Sequence, residues 1–127
     1  MILENQILLK INTVNKNNRI YDDAAAATIV EQCKHKFMYG QLGYPDTSDF
    51  NSISLNATHI SFNIRRVDND ILGDIHLMDN DNGKKLLEII DNIVFRPRSF
   101  GSIADNNVVK IDKLITFDAI LKDEDAF

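Results

Sequence analysis

Ile60-Ser61-Phe62-Asn63-Ile64-Arg65, followed by Asp68-Asn69-Asp70 and then Ile71-Leu72-Gly73-Asp74-Ile75-His76-Leu77, is the stretch that decides the fold class. Ile60, Phe62 and Ile64 alternate with Ser61, Asn63 and Arg65, which predicts a strand with one buried and one wet face. Asp68-Asn69-Asp70 supplies the turn, and Ile71, Gly73, Ile75 and Leu77 carry the return strand at the same period of two. An antiparallel pair of this kind cannot stand alone, so the rest of the chain must provide its cover.

Toward the N-terminus, Gln6 to Asn12 reads as a further strand, and Asn15 to Asn18 as a polar loop. Asp22 is a good helix N-cap and Ala24 to Ala27 favour helix. Ala26, Ile29, Val30, Cys33 and Phe37 then recur at helical spacing, predicting one amphipathic helix to about Tyr39, ended by Gly40 as a C′ glycine. Cys33 falls on the apolar face, where a thiol is buried and inert. Gly43-Tyr44-Pro45-Asp46 opens a loop that runs through Thr47, Ser48 and Asp49.

Toward the C-terminus, Asp79 to Gly83 is a second acidic turn. It begins like a calcium loop, but the remaining ligand positions and the closing Glu are missing, so it reads as a turn and helix cap. Asn82 or Asp81 caps a helix from about Lys84 to Asn92, with Leu86, Leu87, Ile90 and Ile93 facing inward. Ile93-Val94-Phe95 reads as a strand leading into a loop from Arg96 to Ser102. Val108 to Ile111 and Leu114 to Leu121 are the last strands, and Lys122 to Phe127 is an acidic tail. Several strands and two main helices without a βαβ alternation imply an α+β domain with a mainly antiparallel sheet or barrel core.

At 127 residues the chain reads as a single domain, 1–127. Hydrophobic content of 44% and charged content of 26% are those of an ordinary globular domain. No apolar run is long enough to span a bilayer, and no basic segment precedes an apolar one as in a secretory leader, so neither membrane insertion nor export is expected. The single cysteine suits a reducing compartment. Nineteen acids against fourteen bases give a net charge of −5, which argues against a general nucleic-acid binder. His35, His59 and His76 show no metal-ligand spacing, and there is no phosphate loop or nucleophile elbow, so no cofactor is expected. Asn56-Ala57-Thr58 fits a glycosylation sequon that has no meaning without export.

Asn17-Asn18-Arg19-Ile20-Tyr21, Gly40-Gln41-Leu42-Gly43-Tyr44-Pro45, Thr58-His59-Ile60, Gly83-Lys84-Lys85 and Arg98-Ser99-Phe100-Gly101-Ser102 occur in that order. Together with Ile53-Ser54-Leu55 and Leu114-Ile115-Thr116-Phe117-Asp118, they resemble the prohead (capsid maturation) proteases of tailed bacteriophages. The resemblance covers nearly the whole chain and implies an assemblin-like serine protease fold. A composition rich in Asn, Asp, Ile and Lys, whose codons are A/T-rich, agrees with a phage origin.

That family reads Gly-x-x-x-His-Pro at the second motif and Ser-Ser-Arg-Gly at the last. The resemblance therefore puts Tyr44 where the histidine belongs, and Arg96-Pro97 where the serines belong. A phenol is a poor base at neutral pH, arginine stays protonated and proline has no nucleophile. The expectation is a protein without peptidase activity, working in the host cytoplasm by binding a protein partner: the active protease, a scaffold or capsid protein, or a host factor. A homodimer is compatible with such a scaffold. Tyr44, His59, Arg96, Arg98 and Ser99 are expected to lie together as the remnant of the catalytic site. Arg96 and Arg98, stiffened by Pro97, would present two cations to a carboxylate of the partner. The alternative is a divergent serine endopeptidase of capsid maturation that uses His59 and Ser99, with Asp118 orienting the histidine. A third reading is an early phage protein that borrows the fold to bind a host target. His59 on its own reads as a structural histidine.

Overall fold

A computed structural model describes residues 1–45 and 55–127. The expected loop through Thr47, Ser48 and Asp49, and the Ile53-Ser54 stretch, lie outside the described residues. The elements are β1 (Ile2–Lys10), α1 (Asp23–Gln32), β2 (Met38–Gln41), β3 (Ala57–Val67), β4 (Asp70–Leu77), α2 (Asp81–Glu88), a 3₁₀ turn (Ile90–Asn92), β5 (Ile93–Ile103), β6 (Val109–Leu121) and a 3₁₀ turn (Lys122–Glu124).

The deciding stretch forms the antiparallel pair β3–β4, with Asp68 in the left-handed conformation (φ 53°) that lets so tight a turn close. Ile71, Gly73, Ile75 and Leu77 are all buried, as their spacing requires. β3 departs from its simple alternation. Asn63 has φ 54°, and the register with β4 shifts between Phe62 and Arg65. One extra residue changes the facing of every side chain beyond it. Before the bulge the core residues are therefore His59 and Ser61, not Ile60 and Phe62; after it, Ile64 is the buried one.

β1 pairs with β4, and β2 with β3, giving a four-stranded antiparallel sheet in the order β1-β4-β3-β2. The long hairpin β5–β6 is a second, two-stranded sheet lying against β1 and β2, the two edges of the first. The expectation of a barrel is corrected: both sheets are open. On the β2 side the only ladder-type link among the described residues is the isolated bridge between Leu42 and Ala119. On the β1 side the carbonyl of Ile7 is met by the Arg96 guanidinium at 3.0 Å rather than by a strand amide. β5 also carries Pro97, whose missing N–H suits a strand paired on one side only. α1 packs on β6 and β3, and α2 on β3 and β4. The core between them includes Leu8, Ile11, Ile29, Ile71, Ile75, Leu86 and Phe117, all nearly inaccessible.

Asp22 caps α1, its carboxylate accepting the Ala25 N–H at 3.0 Å. The helix ends at Gln32 rather than near Tyr39. His35 sits at φ 58°, which a continuing helix forbids, and Met38–Gln41 turns back as a strand. Gly40 is consequently not a helix stop. It faces the His59 ring and the Phe117 carbonyl so closely that a Cβ would collide with both. Cys33 is 2% exposed, and burial pushes its thiol up to about 12. Asn80, rather than Asn82 or Asp81, caps α2 by accepting the Gly83 N–H at 3.0 Å. Asn80→Ala is expected to cost about 1 kcal/mol in urea unfolding, the usual value of an N-cap. A change below the error of the fit would mean that water replaces the cap.

Candidate functional site

The segment expected to be a loop, Arg96 to Ser102, is strand. Arg96 pairs with Asp118, Pro97 with Phe117, Arg98 with Thr116 and Ser99 with Leu114, with a bulge between Arg98 and Ser99. A regular strand here gives each side chain an alternating direction, and the bulge resets it. The end of β2 and the Leu42-Gly43-Tyr44 segment are fastened across this hairpin. Thr116 Oγ1 donates to the Tyr39 carbonyl at 2.7 Å, Gln41 N–H to Asp118 Oδ1 at 3.1 Å, and Gly43 N–H to the Ala119 carbonyl at 2.7 Å. Tyr44 is thereby set against β5, its hydroxyl 3.4 Å from the Pro97 carbonyl. The residue is 45% exposed, but its hydroxyl turns inward. Burial there, and then the neighbouring Asp118 carboxylate, raise the phenol above its ordinary value.

His59 is fully buried on β3. Its Nε2 lies 2.8 Å from the Phe117 carbonyl, and its Nδ1 2.8 Å from Thr58 Oγ1. A carbonyl can only accept, so Nε2 carries the proton; Nδ1 of the neutral ring then accepts the Thr58 hydroxyl. Burial holds the imidazole down to about 4, opposed only by the bond to Phe117. The ring also meets Phe95 edge-on, with centroids 4.9 Å apart. Both nitrogens are used, and the ring has no exposed surface.

The two arginines are not the open cations expected of them. Arg98 is 3% exposed and grips Asp118 with two bonds, Nε to Oδ2 at 2.8 Å and Nη2 to Oδ1 at 3.1 Å. Burial raises the Asp118 carboxyl, while the Gln41 N–H and the Arg98 guanidinium pull it back down. Arg96 forks onto Asp125 at 3.1 and 3.0 Å and also donates to the carbonyls of Ile7 and Phe95. These pairs tie β5 to β6, β2, β1 and the C-terminal segment. The expectation that Arg96 and Arg98 stand ready for a partner's carboxylate is corrected, because Asp125 and Asp118 already hold them.

The structure brings together three of the five expected residues, and separates Arg96 and His59 from them. Tyr44, Arg98 and Ser99 line one pocket of roughly 290 Å³ together with Pro97, Arg19 and Tyr21. Phe127 closes its side, its ring tilted 33° to that of Tyr21 with centroids 5.8 Å apart. Arg96 opens instead onto an adjoining pocket of roughly 240 Å³, and His59 lies in the core behind the hairpin. Asp118, written in the sequence reading as the orienter of a histidine, is the partner of Arg98. Asp125 and Phe127 were read only as an acidic tail, since nothing in the local pattern links them to residues so distant in sequence. Among the described residues no three His, Cys, Asp or Glu side chains are placed to hold a metal ion. No helix among them is long and apolar enough to cross a membrane.

Compared with solved structures, the chain is similar to the bacteriophage T4 capsid assembly protease, gp21. The TM-score is 0.72 at 26% identity, over 94% of this chain and 80% of that one. No family model and no curated protein matches the chain. The fold is therefore that of a phage prohead protease, as the order of the motifs implies.

Proposed function

We propose that this chain is a non-catalytic prohead-protease-like protein of a tailed phage, acting in the host cytoplasm by binding another protein of head assembly or of the host. The observation that carries the reading is the state of His59. Its Nε2–H is spent on the Phe117 carbonyl and its Nδ1 lone pair on Thr58, so no basic nitrogen remains to take a proton from Ser99. The motif resemblance puts Arg96 or Pro97 at the nucleophile and Tyr44 at the base, and the Tyr44 hydroxyl meets the Pro97 carbonyl instead of a serine. A nucleophile and base act as a unit, so losing both removes nearly all of the rate. What persists is the scaffold and a pocket beside β5 of the size of a side-chain subsite.

Purified protein incubated for a day with scaffold-derived peptides should release no fragments and should not cut itself. Turnover that disappears in Ser99→Ala would overturn the reading in favour of the divergent endopeptidase. Recovery from phage-infected cells, read by mass spectrometry, should yield a protein partner. That partner should be lost when Ser99→Trp fills the pocket, since Ser99 is only half-buried and is a member of neither arginine pair.

A further inference from the structure

Away from this pocket, the early stop of α1 leaves an aromatic side chain in water. Phe37 is 69% exposed and stacks on Phe62 of β3, with centroids 5.5 Å apart and planes 25° from parallel. Among the described residues nothing covers its outer face. The stack forms one wall of a cleft of roughly 520 Å³, whose apolar lining continues through Val30 and Ile64. A cleft of this volume takes a bulky side chain. By its helical spacing alone Phe37 belongs on the buried face of a longer helix. The left-handed turn at His35 is what directs it outward.

The rim of the cleft is cationic. Lys34 and Lys36 both line it and are exposed, and neither has an ion-pair partner among the described residues. Among the described residues the only acid on the lining is Glu31. On a chain of net charge −5 this is a local reversal of sign. An apolar platform framed by unpaired ammonium groups is complementary to an apolar side chain flanked by carboxylates. Two lysines on an acidic protein are too few to hold a phosphate backbone, which needs several cations along its track.

We propose that the cleft between the 33–37 turn and β3 docks an acidic protein segment that carries an aromatic or large aliphatic anchor residue. The anchor stacks on Phe37 and fills the cleft, and its acidic neighbours lie over Lys34 and Lys36. The site is separate from the pocket at Tyr44 and does not depend on whether the chain is a protease.

A displayed library of random twelve-residue peptides, panned on the full chain, tests this. Enriched peptides should combine Asp or Glu with Trp, Phe, Leu or Ile. Made synthetically, they should bind with micromolar Kd, weaken as salt rises, and lose at least about tenfold in affinity on Phe37→Ala. The exposed pair Lys34→Glu with Lys36→Glu should cause a loss of similar size, which keeps the test independent of how Phe37 packs. Failure to enrich any peptide that depends on Phe37 overturns the proposal, as does enrichment of peptides without acids. It is equally overturned if a twelve-nucleotide oligothymidine binds and is lost in the same variants, or if Phe37→Ala abolishes self-association of the chain.

Discussion

Replacing Arg98 with alanine is expected to cost about 3–5 kcal/mol of folding stability, the penalty for stranding one member of a buried ion pair. Asp118 has no exposed surface, and the change removes both bonds from the cation that neutralises its carboxylate, leaving only the Gln41 N–H among the described residues. A domain of this size has only about 5–15 kcal/mol in total, so the variant would sit near its unfolding threshold at room temperature. The double change Arg98→Met with Asp118→Leu should recover part of this, because no buried charge is left. It should not recover all of it, since Gln41 would lose the acceptor for its N–H, worth about 1–3 kcal/mol when buried. Urea unfolding of Arg98→Ala and of the double variant reads these terms. A cost below about 1 kcal/mol for Arg98→Ala would mean that water reaches Asp118, and the pair would then count as a surface one.

The second large effect is on pH dependence. The neutral imidazole of His59 is held at about 4 in the fold, against an ordinary value of 6.5. As pH falls, the unfolded chain therefore takes up a proton before the folded one does. Stability from this group is complete above pH 6.5 and is lost as pH falls toward 4, where the loss levels off. Between pH 7.5 and 4.5 the loss should be about 2–3 kcal/mol, from roughly 1.4 kcal/mol per unit of pKa difference. The same measurements on His59→Gln should show a flatter profile, and the imidazole resonances assigned to His59 in the wild type should not titrate above pH 5. Identical pH profiles for the two proteins would contradict a buried neutral histidine. The result also bears on function, because a ring that cannot protonate near neutrality cannot serve as a general base there.

These two residues show why the candidate site was only partly legible. Motif order brought Tyr44, Arg98 and Ser99 to one neighbourhood, and the Tyr44–Pro97 contact agrees with it. The partners of the arginines were invisible, because Asp118 and Asp125 are brought to them by the register of a long hairpin and by a folded-back C-terminal segment. Neither relation leaves a spacing in the sequence. A pair of Arg residues around a proline looks the same whether it faces solvent or is neutralised from within.

What the sequence by itself determined was local in origin. The β3–β4 hairpin follows from alternation closed by a short polar turn, the start of α1 from Asp22 and the alanines after it, and α2 from a polar cap before Leu86. The motif order also carried the resemblance to the phage proteases. Only the tertiary structure decided where patterns break. Asn63 and His35 adopt left-handed backbone, which Asn and His take more readily than most residues but too rarely for the sequence to locate the bulge that turns His59 and Ser61 inward or the turn that leaves Phe37 outside. Nor could the sequence say whether the sheet closes, since that depends on how two edges meet and not on either strand. The physical reason is the same in each case. Hydrogen bonding along a segment is set by neighbours a few residues away, whereas facing, pairing and charge neutralisation are set by groups that only folding brings into contact.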